Sequence, residues 1–308
     1  MLHRTFGKTG FDISAVGMGT WNIGNQWGNT DDGNAFTTIR TAFDHGVTLF
    51  DTAENYGIPG GTSEERLGLA LAGIRHQVTV VSKTGNWGRR IGRLIPRDYP
   101  DTIRVCVHAS LHRLRTDWLD VILCHEGNIE DPGVYIEGFE ILLEEGRVRA
   151  YGISTNELDV LKRFNANGRC SVVQVDYSLL NRAPEEEFLP YCKENNIGVM
   201  IRGPLAKGLL SGRYDKSTVF EDKIRNAWHD DGAAQEKFES EIDRVDKLKE
   251  LASPGPEMVQ MALRYVISHP AVSVVIPGAK DPSQAITNAA AGSEILDAGT
   301  LEKLRNLT

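Results

Sequence analysis

Residues 47–57 read VTLFDTAENYG. Four residues suited to a buried strand, Val47 to Phe50, run straight into the carboxylate of Asp51, and a phenol follows at Tyr56. A carboxylate at the end of an apolar strand is costly to bury without a partner. The stretch therefore raises two questions: which sheet it belongs to, and what meets Asp51 there.

The same kind of run recurs along the chain. It is found at 14–19 (SAVGMG), 47–50 (VTLF), 78–83 (VTVVSK), 119–125 (LDVILCH), 149–154 (RAYGIS), 171–177 (SVVQVDY), 198–203 (GVMIRG) and 272–278 (VSVVIPG). Valine and isoleucine dominate most of these runs, and clean polar alternation is missing, as in parallel strands covered on both faces. Amphipathic helical patterns lie between them. Phe36, Ile39, Ala42 and Phe43 share one face, with Gly46 as a stop. Ile103, Val107, Leu111 and Leu114 repeat the pattern. Thr62 with Glu65, and Ser154 with Glu157, have the spacing of capping boxes. PEEEFLPYCKENN and PEMVQMALRYVISH each open on proline, which a first helical turn tolerates.

Eight strands, each followed by a helix, are the count of a (β/α)8 TIM barrel, and 308 residues exceed its usual size of about 250. The surplus has visible places. HRTFGKTGFDISAV reads as an N-terminal β-hairpin turning at Lys8-Thr9-Gly10. Long loops follow strand three (84–101) and strand seven (204–256), the second with a helix near QEKFESEIDRVDKLKELA. No linker divides residues 1–308, so a single domain is expected. A doubly wound open sheet is the alternative, but no GxGxxG turn follows an early strand.

The apolar fraction of 41% and charged fraction of 25% are ordinary for a soluble globular chain. A net charge of −8 with no basic block argues against nucleic acid or an anionic membrane as partner. The N-terminus lacks the apolar core of a signal peptide, and no run reaches membrane-helix length. Cys106, Cys124, Cys170 and Cys192 form no CxxC pair and read as reduced structural thiols. A cytoplasmic location is expected.

The strand ends carry the chemistry. Strand two ends at Asp51, strand three at Lys83 and strand four at His125, all on the rim where this architecture holds its active sites. Taken singly, each has a plain structural reading: a turn aspartate, a lysine reaching for water, a satisfied histidine. Three neighbouring strands delivering three ionisable groups to one rim is a different matter. The set suits carbonyl reduction. Tyr56 donates a proton, and a Lys83 cation favours its phenolate and lowers its pKa. Asp51 keeps Lys83 charged, and neutral His125 hydrogen-bonds the carbonyl oxygen. No side chain carries hydride, so a nicotinamide cofactor is required.

On these residues the chain resembles the aldo-keto reductase superfamily over nearly its whole length. The matching stretches are FDTAENYG, GTSEERLG, VVSKTG, LRTDWLDVILCH, GIS, VVQVDYSLLNR, GPLAKGLLSGRY and VVIPGAKDPSQAITNAAA. The resemblance implies a catalytic tetrad of Asp51, Tyr56, Lys83 and His125, with Tyr56 as acid/base. It implies nicotinamide contacts from Ser154 and Gln174, with Thr155 standing where the family often has asparagine. Gly19, Thr20 and Trp21 fall where the family meets cofactor and substrate. Arg202 replaces a stacking tyrosine, and a planar guanidinium also stacks on a ring. Gly203, Leu205 and Lys207 match the pyrophosphate segment. Gly278, Lys280, Ser283, Gln284 and Asn288 match the adenosine end, where Lys280 favours NADPH, with NADH still possible. Trp21, Trp27, Trp87 and Glu126 are expected around the substrate, with Tyr56 and His125. Arg89, Arg90, Arg93 and Arg97 read either as cations at the pocket mouth or as a solvated loop.

The expected activity is thus reversible NADPH-dependent reduction of small aldehydes and ketones, with no metal. Two other readings stand beside it. Potassium-channel β subunits resemble the same family and act chiefly as cofactor-bound partners, although the complete tetrad favours an enzyme. A metal-dependent hydrolase on the same barrel needs clustered rim histidines, and only His125 ends a strand.

Overall fold

The chain opens with an antiparallel hairpin of β1 (His3–Thr5) and β2 (Asp12–Ser14), in the register His3↔Ser14, Arg4↔Ile13, Thr5↔Asp12. Its turn is the short 3-10 segment Gly7–Thr9, closed by Gly10 at φ 72°. The computed structural model describes residues 1–89, 92–222, 224–229 and 232–308, and among these it carries eight parallel strands. They are β3 (Met18–Gly19), β4 (Leu49–Asp51), β5 (Thr79–Thr84), β6 (Leu119–Cys124), β7 (Val148–Ser154), β8 (Val172–Asp176), β9 (Gly198–Arg202) and β10 (Val272–Val275). Each pairs with its successor. The cylinder closes from β10 to β3 through Gly17 N–H to Val275 O (2.8 Å), Gly19 N–H to Pro277 O (3.1 Å) and the bridge Gly19↔Gly278. The expected TIM barrel is therefore the observed one. A Cβ at Gly278 would lie 1.9 Å from the Asn22 side-chain oxygen, so that side chain would have to move.

Helices α1 (Asp32–Asp44), α2 (Thr62–Ala70), α3 (Pro100–Leu114), α4 (Gly133–Glu144), α5 (Leu158–Phe164) and α6 (Phe188–Glu194) follow β3 to β8 in turn. The excursion after β9 contains α7 (Gly232–Leu248), close to where its amphipathic pattern predicts, before α8 (Pro256–Ser268). Helices α9 (Pro282–Ala290) and α10 (Ala298–Leu307) follow β10. Among the described residues, no helix is long and apolar enough to cross a membrane.

The two expected capping boxes do not form. Gly61, with φ 91°, occupies the N-cap of α2, and the Thr62 hydroxyl turns back to donate to Pro59 O at 2.7 Å. Helix α5 begins later than expected, with Glu157 at its N-cap. Thr155 serves the turn before it, accepting from Glu157 N–H at 3.0 Å and donating to Gly127 O at 2.6 Å. At Thr62 the turn before the helix takes the hydroxyl, and at Ser154 the residue still belongs to β7.

Strand parity positions the site. Leu49, Val81, Val121, Leu123, Ala150, Val172, Met200, Val274 and Ile276 fill the barrel interior, and Phe6 and Ile13 of the hairpin join them in one buried cluster. Fully burying each of the larger of these side chains contributes about 1.5–3 kcal/mol. Side chains alternate with period two along a strand. Two residues beyond Leu49 is Asp51, two beyond Val81 is Lys83, and two beyond Leu123 is His125. The same count leads from Val172 to Gln174, from Met200 to Arg202, from Ile276 to Gly278, and in two steps from Ala150 to Ser154. In the six strands β4 to β9 one apolar column thus becomes polar on reaching the rim, while that of β10 ends on Gly278.

Candidate active site

Lys83 is fully buried, and its ammonium organises the rim. Nζ donates to both Asp51 carboxylate oxygens (2.7 and 2.8 Å), to Thr52 O (2.7 Å) and to the Tyr56 hydroxyl (3.3 Å). Asp51 is held from its other side by Gln174, whose side-chain amide donates to Oδ1 at 2.9 Å. Gln174 is the cross-strand partner of Ser154, whose hydroxyl lies 3.4 Å from its Oε1. The Thr20 hydroxyl donates to Asp51 O at 2.8 Å, tying β3 to the same point. The His125 ring meets the Tyr56 ring edge-on with centroids 5.9 Å apart. Its Nδ1 is buried without a hydrogen-bond partner among the described residues.

These contacts fix the charge states. Burial opposes the Lys83 cation, but Asp51 and then Tyr56 outweigh it and hold the ammonium above its ordinary range. Burial raises the Asp51 carboxyl, against Lys83 and Gln174. Burial also raises the Tyr56 phenol, opposed chiefly by Lys83. The expected lowering of that phenol is thus reversed. Lys83 exerts the anticipated pull, but the loss of water around the phenolate is larger. Tyr56 is consequently a protonated donor at neutral pH. Burial, with Lys83, Arg202 and Arg89 behind it, pushes His125 well below the usual imidazole range and keeps it neutral.

The rim is aromatic on the β3 side. Trp21 stacks on Tyr56 with centroids 5.7 Å apart and takes Trp27 edge-on at 5.1 Å. The Trp87 ring packs under the Arg113 guanidinium at 5.0 Å, toward α3. Glu126, beside His125, accepts a hydrogen bond from the Tyr135 hydroxyl.

The residues expected to hold a cofactor line the neighbouring arc from β7 to β10. Arg202 donates to Asp176 Oδ2 (3.3 Å) and Asn156 Oδ1 (2.9 Å), with its side chain 38% exposed. Beyond it the backbone is left-handed at Gly203 (φ 66°), Ala206 (45°), Lys207 (55°) and Gly208 (99°), between which lies Leu205. Two amides of this segment close the turn itself, Ala206 N–H donating to Gly203 O at 2.9 Å and Gly208 N–H to Leu205 O at 2.8 Å. The Lys280 ammonium donates to Trp27 O. Burial and then Arg225 push its pKa down, and Asp222 opposes them. Asp281 caps α9, accepting from Gln284 N–H at 2.9 Å and from the Ser283 hydroxyl at 2.7 Å. Gln284 Oε1 accepts from Lys280 N–H at 3.1 Å, and Asn288 donates to Gly278 O at 3.1 Å. This set suits a dinucleotide: side-chain amide partners at the centre, then a cation and a helix N-terminus at the edge.

One correction concerns the loop after β5. Arg97 is neither a mouth cation nor a solvated one: its side chain is 3% exposed and pairs with buried Glu54 at 3.1 Å. Arg90 lies outside the described residues. Glu54, Asn86 and Ser63 escaped the sequence reading although they bind the site together. Ser63 lies 2.7 Å from the Thr20 hydroxyl and 3.2 Å from that of Thr52. The available signal was Glu54 itself, an unexplained acid between Asp51 and Tyr56.

The family model described as "Aldo/keto reductase family" matches residues 15–308. Among curated proteins, "Aldo-keto reductase YhdN" of Bacillus subtilis (strain 168) is 35% identical over 92% of this chain and 86% of its own length. "NADH-specific methylglyoxal reductase" of Escherichia coli (strain K12) is 31% identical over 92% of this chain and 91% of its own. Among solved structures, an aldo-keto reductase from Klebsiella pneumoniae in complex with NADPH superposes with a TM-score of 0.75 at 29% identity, covering 100% of this chain and 95% of that one. With the family model spanning the barrel and the rim groups meeting where Asp51, Lys83, Tyr56 and His125 place them, the chain belongs to the aldo/keto reductase family.

Proposed function

We propose that this protein reduces aldehydes and ketones to alcohols, reversibly, with NADPH as hydride source and Tyr56 as proton donor. The observation that carries the proposal is the chain from buried Asp51 and Lys83 to half-buried Tyr56, with neutral His125 at its side. Tyr56, kept protonated by burial, gives its proton to the carbonyl oxygen. The phenolate left behind faces the Lys83 ammonium, and in a site of low dielectric that pairing stabilises the charge that develops during reaction. Asp51 keeps the ammonium charged. His125 orients the carbonyl oxygen by a hydrogen bond, since a neutral imidazole keeps one donor nitrogen. A bound nicotinamide cofactor would supply the hydride, which no side chain can carry.

Gln174 and Ser154 would hold the carboxamide, with Arg202 against the ring face. The segment from Gly203 to Lys207 would take the pyrophosphate. Lys280, with the α9 N-terminus, would take a 2′-phosphate. The NADPH complex of the Klebsiella relative supports that cofactor, while the NADH-specific Escherichia coli relative keeps the choice a matter for experiment. Lys280→Met removes a charge-assisted contact of about 1.5–3 kcal/mol, so NADPH affinity should fall roughly ten- to a hundredfold. NADH affinity should hardly move, and titration of intrinsic tryptophan fluorescence with each nucleotide reads both. Equal losses for the two nucleotides would remove Lys280 from this role. Arg202→Ala should weaken both nucleotides alike, by about tenfold for one lost stacking and charge contact. Unchanged affinity in the same titration would free Arg202 of its assignment. The overall reading is tested by nucleotide oxidation over a panel of small aldehydes, and a folded protein that binds NADPH but turns over none of them contradicts it.

A further inference from the structure

Glu54 sits between Asp51 and Tyr56 in sequence and is 1% exposed, yet it takes no part in the Asp51–Lys83–Tyr56 chain. Its carboxylate is instead surrounded by donors from the next rim loop. Oε1 accepts from the successive amides of Gly85 (2.7 Å), Asn86 (3.1 Å) and Trp87 (3.1 Å), and from Arg97 Nη2 (3.1 Å). Oε2 accepts from the Thr84 hydroxyl at 2.9 Å. The Glu54 amide donates to Lys83 O at 3.1 Å. Asn86, held by this carboxylate, donates through its side chain to His125 O at 2.8 Å, and His125 N–H donates to Thr84 O at 2.8 Å.

We propose that Glu54 is a positioning residue: its carboxylate binds the loop after Lys83 to the loop carrying Tyr56, and through Asn86 it fixes the main chain of His125. The inference rests on the roles given above to Tyr56 and His125. Three amides and a guanidinium converge on one buried anion, and each would otherwise be a buried donor left unsatisfied, at about 1–3 kcal/mol apiece. All of these donors belong to the segment between Thr84 and Arg97, so the carboxylate fixes that segment and nothing remote. One of the residues so fixed carries the only side-chain bond recorded to the His125 carbonyl among the described residues. The spacing between the proton donor and the group that orients the substrate oxygen is therefore set through Glu54.

A second buried acid provides the contrast. Glu64 of α2 accepts from the Ser82 hydroxyl at 2.6 Å and from Arg113 at 2.6 Å, which ties α2 to β5 and α3 outside the barrel. It reaches no residue of the rim chain in these contacts. Loss of its charge should lower stability without moving the reacting groups.

The experiment compares wild type, Glu54→Gln, Asn86→Ala and Glu64→Gln by thermal melting, NADPH titration and steady-state kinetics on one small aldehyde. Glutamine keeps an acceptor for the amides but loses the charge facing Arg97. Glu54→Gln should leave NADPH affinity within about twofold while kcat falls by at least about tenfold, as a displacement of the order of 1 Å commonly costs. Asn86→Ala should lower kcat in the same direction with little change in melting. Glu64→Gln should lower the melting temperature and leave kcat of the folded enzyme within about threefold. A folded Glu54→Gln enzyme with wild-type kcat overturns the inference. If that variant does not fold, an Asn86→Ala enzyme with unchanged kcat overturns it equally. A wild type that reduces no carbonyl defeats the parent reading and this inference together, whereas an active wild type with indifferent variants defeats this inference alone.

Discussion

Replacing Tyr56 with phenylalanine is expected to lower carbonyl reduction by roughly 10²–10⁴, the range for a lost general acid, while NADPH affinity stays close to wild type. The ring, its stacking on Trp21 and its edge contact with His125 survive the change; only the hydroxyl goes. Lys83 loses one acceptor but keeps Asp51 and Thr52 O, so the fold should hold. The loss should therefore appear in kcat, since the missing group acts in the transition state and not in binding. Steady-state kinetics beside a nucleotide titration separates the two quantities. Unchanged turnover would take the proton-donor role from Tyr56.

Lys83→Met should be as damaging to turnover and far more damaging to stability. Methionine fills much the same volume but leaves the Asp51 carboxylate buried without its cation. Breaking a buried pair in this way costs about 3–5 kcal/mol. Adding Asp51→Asn should recover much of that loss without restoring activity, because the neutral amide needs no cation and the phenolate still has none. The single variant should also show a distinctive pH dependence. With Lys83 gone, the burial that already raises Asp51 acts unopposed by its largest counterweight. The folded state then holds a proton more tightly than the unfolded one, so stability rises as pH falls from the raised folded value toward the ordinary carboxylate value of 3.8. Denaturant melts of both variants across that window check the sign. A Lys83→Met protein as stable as wild type at neutral pH would mean that the pair is not the buried junction described here.

The barrel was legible because its strands are buried on both faces and so appear as unbroken Val/Ile runs; β5 is buried at every position. The meeting of Asp51, Lys83 and His125 at one rim was legible because strand parity carries an apolar column into one polar residue there, as Leu49 does into Asp51 and Val81 into Lys83. Less was visible where the outcome depends on competition. Thr62 and Glu65 have the spacing of a capping box, but the αL conformation of Gly61 and the carbonyl of Pro59 claim that turn. The phenol of Tyr56 was assigned the right neighbour and the wrong net shift, because sequence identifies a charge partner and not the amount of water excluded. Arg97 looked like one of several loop cations, since its partner Glu54 lies 43 positions away and pairs with it only once the loop folds back over β4. Contacts of that range follow from the closed barrel and not from any local pattern.

The most direct measurement is a single turnover with NADPH deuterated at the transferable position, run with excess enzyme and one small aldehyde, and with the alcohol analysed for label at the carbinol carbon. Wild type is predicted to yield alcohol bearing one deuteron at that carbon, and Tyr56→Phe, with nucleotide equally bound, almost no labelled alcohol over the same interval. Unlabelled alcohol from wild type, or equal labelled product from both proteins, would contradict the account.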